Sequence, residues 1–200
     1  MLVRMLRDLL AFVLLLPFGP AVAETLDGQV VEISDGATLT VQDSARVRLK
    51  IRLAGIDAPE SAQPFGRESR KHLSDLTLGR TVRVEWRRQD DYGRILGKVV
   101  LRAADCPRCP KTGDAGLAQL EAGLAWWRRD TRREQTLEDQ GYYEYAEFDA
   151  KARRIGLWQD PAPVPPWEWR KRNQIIALRS ALKRPGAEAR TMTSALLRES

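Results

Sequence analysis

The residues best suited to chemistry lie close together. Arg52, Asp57 and Glu60 fall within one nonapeptide, Arg52-Leu53-Ala54-Gly55-Ile56-Asp57-Ala58-Pro59-Glu60. Carboxylates are the natural ligands of a hard metal ion, and the planar fork of arginine matches a phosphate. Those are the parts that phosphodiester cleavage requires. Taken alone, the nonapeptide is equally an ordinary strand-to-turn corner with surface charges.

These side chains need a scaffold. Arg46, Arg48, Lys50 and Arg52 alternate with apolar neighbours up to Ile56, which predicts a strand. The strand must stop at Asp57-Ala58-Pro59, because Pro59 lacks an amide donor and restricts Ala58 to extended geometry. Upstream, two β-rich runs, Val30–Ile33 and Thr38–Val41, meet at Asp35-Gly36, a hairpin signal. Downstream, the polar turn Asp90-Asp91-Tyr92-Gly93-Arg94 brings a second arginine ahead of the apolar run Ile95–Leu101. Strands are expected at Gly28–Ile33, Thr38–Val41, Val47–Ile56, Thr81–Arg87 and Ile95–Leu101, with a helix over Phe65–Leu76 closed by Gly79. This is the order of an α+β fold built on a five-stranded OB-type β-barrel with about three helices. Asp114 is placed to cap a second helix ending near Gly123. A third is expected within Leu137–Arg154, with Tyr142, Tyr145, Phe148, Ala152 and Ile155 along one face.

Three of these stretches, in this order, resemble the staphylococcal nuclease (thermonuclease) family. Its pattern is an Asp-Gly-Asp-Thr hairpin, an Arg-x4-Asp-x-Pro-Glu strand end and a Tyr-Gly-Arg turn. Here they correspond to Asp35-Gly36-Ala37-Thr38, Arg52 through Glu60, and Tyr92-Gly93-Arg94. The resemblance runs from about Thr25 to Trp158. It implies a nuclease of DNA or RNA that uses Ca²⁺. Asp57, the backbone carbonyl of Ala58 and Asp35 would hold the ion; Glu60 would orient or deprotonate the attacking water; Arg52 and Arg94 would steady the phosphoryl oxygens. The family's third hairpin residue is normally a calcium-binding aspartate, and here it is Ala37, which has no oxygen side chain to offer. Tyr92, Tyr142 and Tyr143 are candidates to stack on bases, although a tyrosine stripe equally serves helix packing.

Residues 1–23 have the layout of a secretory signal peptide: Arg4 and Arg7, an apolar core from Leu9 to Leu16, and Ala21-Val22-Ala23 as a cleavage site. The apolar run is too short to span a membrane comfortably. The expected product is an exported protein, periplasmic or extracellular, monomeric and without stable membrane insertion. Its domain is expected over residues 24–160, followed by a Pro/Trp segment and a basic tail over 161–200. The formal charge of +6 is local: residues 170–200 hold eight Lys/Arg against two acids. Global charge therefore argues little for a nucleic-acid-binding core. Cys106 and Cys109 are too few for a structural zinc site, and a local disulfide is the expected state in an exported protein. Pro161–Trp169 is expected to be extended, its tryptophans folded back on the domain.

Two readings follow. One is a calcium-dependent nuclease with a metal site weakened at Ala37. The other is a catalytically inactive OB-type module that binds nucleic acid or an envelope partner. Glu60 beside the arginines favours the first, because a binder has no use for it; Ala37 favours the second.

Overall fold

The hairpin at Asp35-Gly36 forms where the two β-rich runs meet. In the computed structural model, which describes residues 24–102 and 111–182, β1 (Glu24–Ile33) pairs antiparallel with β2 (Thr38–Gln42), and β2 with β3 (Arg48–Leu53). The leader, the Cys106/Cys109 pair and the chain beyond Leu182 lie outside the described residues. β1 also pairs with β5 (Thr81–Gln89), β5 pairs with β6 (Ile95–Arg102), and a parallel β3–β6 contact closes these five strands into a barrel. A short β7 (Lys111–Asp114) extends β6. Alternation puts Leu39, Val41, Ile51, Leu53, Val82 and Val84 inside, each almost fully buried. Burying a side chain of this size contributes about 1.5–3 kcal/mol, so the barrel interior is the main source of stability.

The third expected strand is broken in two. β3 ends at Leu53, Gly55 takes a φ of 74°, and a two-residue β4 (Ile56–Asp57) leaves in a new direction. That positive φ favours glycine, and a Cβ there would also lie 2.4 Å from the Gln135 side chain. β4 pairs with β8 (Trp126–Trp127), Ile56 opposite Trp127 and Asp57 opposite Trp126.

Three helices cover the barrel end as expected: α1 (Gly66–Thr77), α2 (Ala115–Glu121) and α3 (Leu137–Ala152). Asp114 caps α2, accepting from the Gly116 and Leu117 amides. Gln119 on α2 is fully buried and donates to the carbonyls of Gly36 (2.5 Å) and Ser69 (3.0 Å), tying hairpin and α1 together. Gly36 could not be larger, because a Cβ there would lie 1.8 Å from Ser69 Oγ and 2.8 Å from Ala58 Cβ.

Two expectations are corrected. The buried face of α3 is Tyr143, Ala146, Glu147 and Ala150; Tyr142, Tyr145 and Phe148 are exposed. The small residues let α3 approach α2 closely, and the large aromatics would hold it off. Pro161–Trp169 is not extended throughout, because α4 (Pro166–Leu182) begins at Pro166. Proline is pre-organised for the first helical position. The tryptophans do fold back: Trp169 lines a small cavity with Phe65, Trp126 and Leu157.

Candidate active site

The elements around β4 enclose a cleft of about 480 Å³, lined among others by Asp35, Ala37, Asp57, Ala58 and Glu60. Its lining also includes Arg88, Tyr92, Arg94 and Arg128. The three family-like stretches, distant in sequence, thus converge on one concavity. The hairpin borders this cleft: the Ala37 carbonyl accepts from the Leu53 amide at 2.8 Å, and Ala37 lines the cleft with Asp57.

Asp57 is the centre. It is 3 % exposed, and its carboxylate accepts from three guanidinium groups: Arg52 at 3.2 Å on Oδ1, Arg128 at 3.3 Å and Arg170 at 2.6 Å on Oδ2. Removing a carboxylate from water costs several kcal/mol. A unit charge pair at about 4 Å returns roughly 4 kcal/mol at an effective dielectric near 20, so this many contacts outweigh the cost. Glu60 accepts from Arg170 at 2.6 Å. Burial works against the Arg170 charge, but its bonds to Asp57 and Glu60 win and raise it above the ordinary arginine value. Arg128 is raised too, first by its hydrogen bond to Asp130 and further by Asp57.

Asp35 folds its Oδ1 onto the Ala37 amide at 2.7 Å. Arg94 reaches the cleft from the β5–β6 turn, where Gly93 has a φ of 73° and Asp90 accepts from Arg94 Nε at 2.7 Å. Burial pushes the Asp90 carboxyl up, but hydrogen bonds from the Arg94 backbone and side chain dominate and hold it below the usual range. The Arg94 guanidinium lies 5.3 Å from the centre of the Tyr92 ring, and Tyr92 is 72 % exposed at the cleft rim, available to stack on a base.

Tyr143 does not line the Asp57 cleft. It is 2 % exposed, and its hydroxyl donates to Asp114 at 2.8 Å. Burial and the Asp114 carboxylate together push its phenol well above the normal tyrosine value, and burial raises the Asp114 carboxyl as well. Tyr142 is exposed, donates to Glu138 and is absent from the cleft lining.

Two arginines in the cleft escaped the sequence reading. Arg128 is delivered by β8, whose pairing with β4 brings it beside Asp57. Arg170 is the fifth residue of α4, 113 residues from Asp57 along the chain. The Pro/Trp segment before it was the only local sign that the chain returns here.

The staphylococcal nuclease homologue family matches residues 50–160, more than half of the chain. A relative called protein ParB from Escherichia coli is 39 % identical over 84 % of this chain and 91 % of its own length. A micrococcal nuclease from Shigella flexneri is 38 % identical over 83 % of this chain and 92 % of its own, and an uncharacterized endonuclease from Escherichia coli is 35 % identical over 84 % and 99 %. Fold, cleft and these likenesses define an OB-type nuclease, a hydrolase of phosphodiester bonds. The chain belongs to the staphylococcal nuclease homologue family.

Proposed function

We propose that the chain is an exported nuclease that cleaves DNA or RNA in the Asp57 cleft and requires Ca²⁺. The observation that carries this reading is the meeting of Glu60, Asp57, Arg52 and Arg94 around one cavity. Export rests on the layout of residues 1–23. No helix among the described residues is long and apolar enough to cross a membrane.

The calcium requirement comes from the family, and among the described residues its carboxylate donors are not assembled into a ready-made site. Both Asp57 oxygens are engaged by arginine, and no group of three or more Asp, Glu, His or Cys side chains among the described residues is placed to hold a metal. The chain's own residues account for the following steps. Glu60 accepts a proton from the attacking water. Arg52 and Arg94 donate to the phosphoryl oxygens as charge develops on them, and fixed planar donors suit that task because they need no reorganisation. Asp57 orients Arg52 and Arg128. A neighbouring cavity of about 490 Å³, which shares Arg88 and Leu96 with the cleft and contains Trp86, gives room for a flanking nucleotide.

Arg94→Ala should lower kcat for DNA or RNA cleavage by about two orders of magnitude, the usual loss of one transition-state donor, with thermal unfolding unchanged. Equal cleavage by variant and parent would remove Arg94 from the mechanism.

Ala37→Asp should restore a carboxylate to the hairpin. The Ca²⁺ concentration for half-maximal cleavage should fall about tenfold or more, roughly 1.4 kcal/mol, because such sites strengthen with ligand charge. Position 37 is buried, so a stability loss is expected alongside, and calorimetric titration with Ca²⁺ separates the two effects. Unchanged calcium affinity would mean that residue 37 does not face the ion.

A further inference from the structure

Glu60 is fixed by one contact. Among the described residues its carboxylate has a single hydrogen-bond partner, Arg170, whose Nη1 donates to Oε1 at 2.6 Å. A glutamate side chain left free samples several staggered rotamers, whereas a general base must stand within hydrogen-bond reach of one water. The same guanidinium donates through Nη2 to Asp57 Oδ2, also at 2.6 Å. Asp57 is buried, and its strand is paired with β8. One planar fork therefore ties a partly exposed carboxylate to an anchored one.

Arg170 reaches the cleft from beyond residues 50–160, the span that matches the nuclease family. The segment that carries it is seated on the turn that carries Glu60. Gln63, which is buried, accepts from the Glu60 amide at 3.1 Å and donates to the Val164 carbonyl. Trp169, the residue before Arg170, lines the small cavity with Phe65, Trp126 and Leu157, and Pro166 and Ala181 of α4 are buried. Backbone and side chain of Glu60 are thus both connected to one C-terminal segment. Without the Arg170 guanidinium, Asp57 keeps Arg52 and Arg128, and Arg128 keeps Asp130 as well. Glu60 keeps no side-chain partner among the described residues. The consequence falls on Glu60.

We propose that Arg170 is a positioning residue for the nuclease reaction: from α4 it holds Glu60 Oε1, so that Oε2 is presented to the attacking water, and α4 becomes a working part of the cleft. Arg170 acts through Glu60 and touches neither the water nor the phosphate. The inference rests on the reading of Glu60 as the base that accepts the water proton.

The test is a double-mutant cycle on the full chain, read by single-turnover cleavage of single-stranded DNA or RNA, whichever the parent cleaves, in excess Ca²⁺. Arg170→Ala alone should lower the rate about tenfold to a hundredfold, the scale expected of a base displaced by about 1 Å, with substrate affinity nearly unchanged. Added to Glu60→Gln, the same substitution should change the rate by less than about twofold, because no base remains to be positioned. Arg170→Lys, which keeps a charged donor but cannot span both carboxylates, should recover part of the loss. Melting curves check that each variant is folded at the assay temperature, and Arg170→Gln takes the place of Arg170→Ala should that variant unfold. A loss of equal size in both backgrounds would overturn the proposal, because a structural or phosphate-binding role is blind to the residue at position 60. No loss from Arg170→Ala alone would overturn it as well. Cleavage by Glu60→Gln at the parent rate is a separate failure: it would overturn the reading of Glu60 as the base, and the proposal with it.

Discussion

Glu60→Gln should lower the rate of DNA or RNA cleavage by at least about a hundredfold without unfolding the protein. General-base catalysis typically contributes two to four orders of magnitude, and an amide cannot take up the water proton. Glutamine preserves shape and still accepts a hydrogen bond from Arg170, so the loss should fall on kcat with substrate binding nearly intact. Glu60 is 40 % exposed on its side chain, so no buried charge is orphaned and the melting temperature should stay within a degree or two, consistent with a surface change below about 0.5 kcal/mol. Single-turnover cleavage measured beside a melting curve checks both halves. A variant that cleaves at the parent rate would show that another group activates the water.

The second large effect is on stability and lies behind the site. Glu147→Ala should cost about 2–4 kcal/mol. Glu147 is 1 % exposed on α3, where it accepts from the Trp127 amide at 3.1 Å, Arg129 at 2.9 Å and Lys151 at 2.9 Å. Arg129 and Lys151 are about half exposed, so water can take them over after truncation, and the cost stays below the 3–5 kcal/mol typical of a stranded buried charge. The Trp127 amide has no such recourse; an unsatisfied buried donor costs about 1–3 kcal/mol, and lost packing adds to it. In a protein of this size the melting temperature should drop by roughly 5–15 °C. Glu147→Gln, which keeps an acceptor, should lose less. Because Trp127 pairs with Ile56, next to Asp57, activity below the melting temperature should fall as well. An unchanged melting temperature in Glu147→Ala would mean that this network does not hold β8 in place.

Much of the site was legible because its parts are local. Arg52, Asp57 and Glu60 sit near one strand end, and a proline announces where that strand stops, although the break at Gly55 went unread. The barrel strands were legible for the same reason, since a period of two marks an inward face. Local pattern failed where contacts join distant segments. The inward face of α3 was assigned to the largest aromatics, whereas close packing against α2 selects Ala146 and Ala150 and admits Glu147 because the Trp127 amide, Arg129 and Lys151 all bond to it. Tyr143 was open between base stacking and helix packing, and no local pattern marked the Asp114 carboxylate on which its buried hydroxyl rests. Arg170 carries no local signature at all: a basic residue at the start of a basic tail reads as solvated, and only the return of Pro163–Trp169 to the barrel brings it to Asp57.

The central claim is that the Asp57 cleft cleaves phosphodiester bonds. Purified protein incubated with single-stranded DNA and with RNA, in excess Ca²⁺ and in chelator, tests it most directly, with Glu60→Gln as the control. The account predicts calcium-dependent cleavage of at least one substrate, abolished by chelator and reduced about a hundredfold or more in the variant. Failure to cleave either substrate at any calcium concentration, or cleavage that Glu60→Gln leaves untouched, would contradict it.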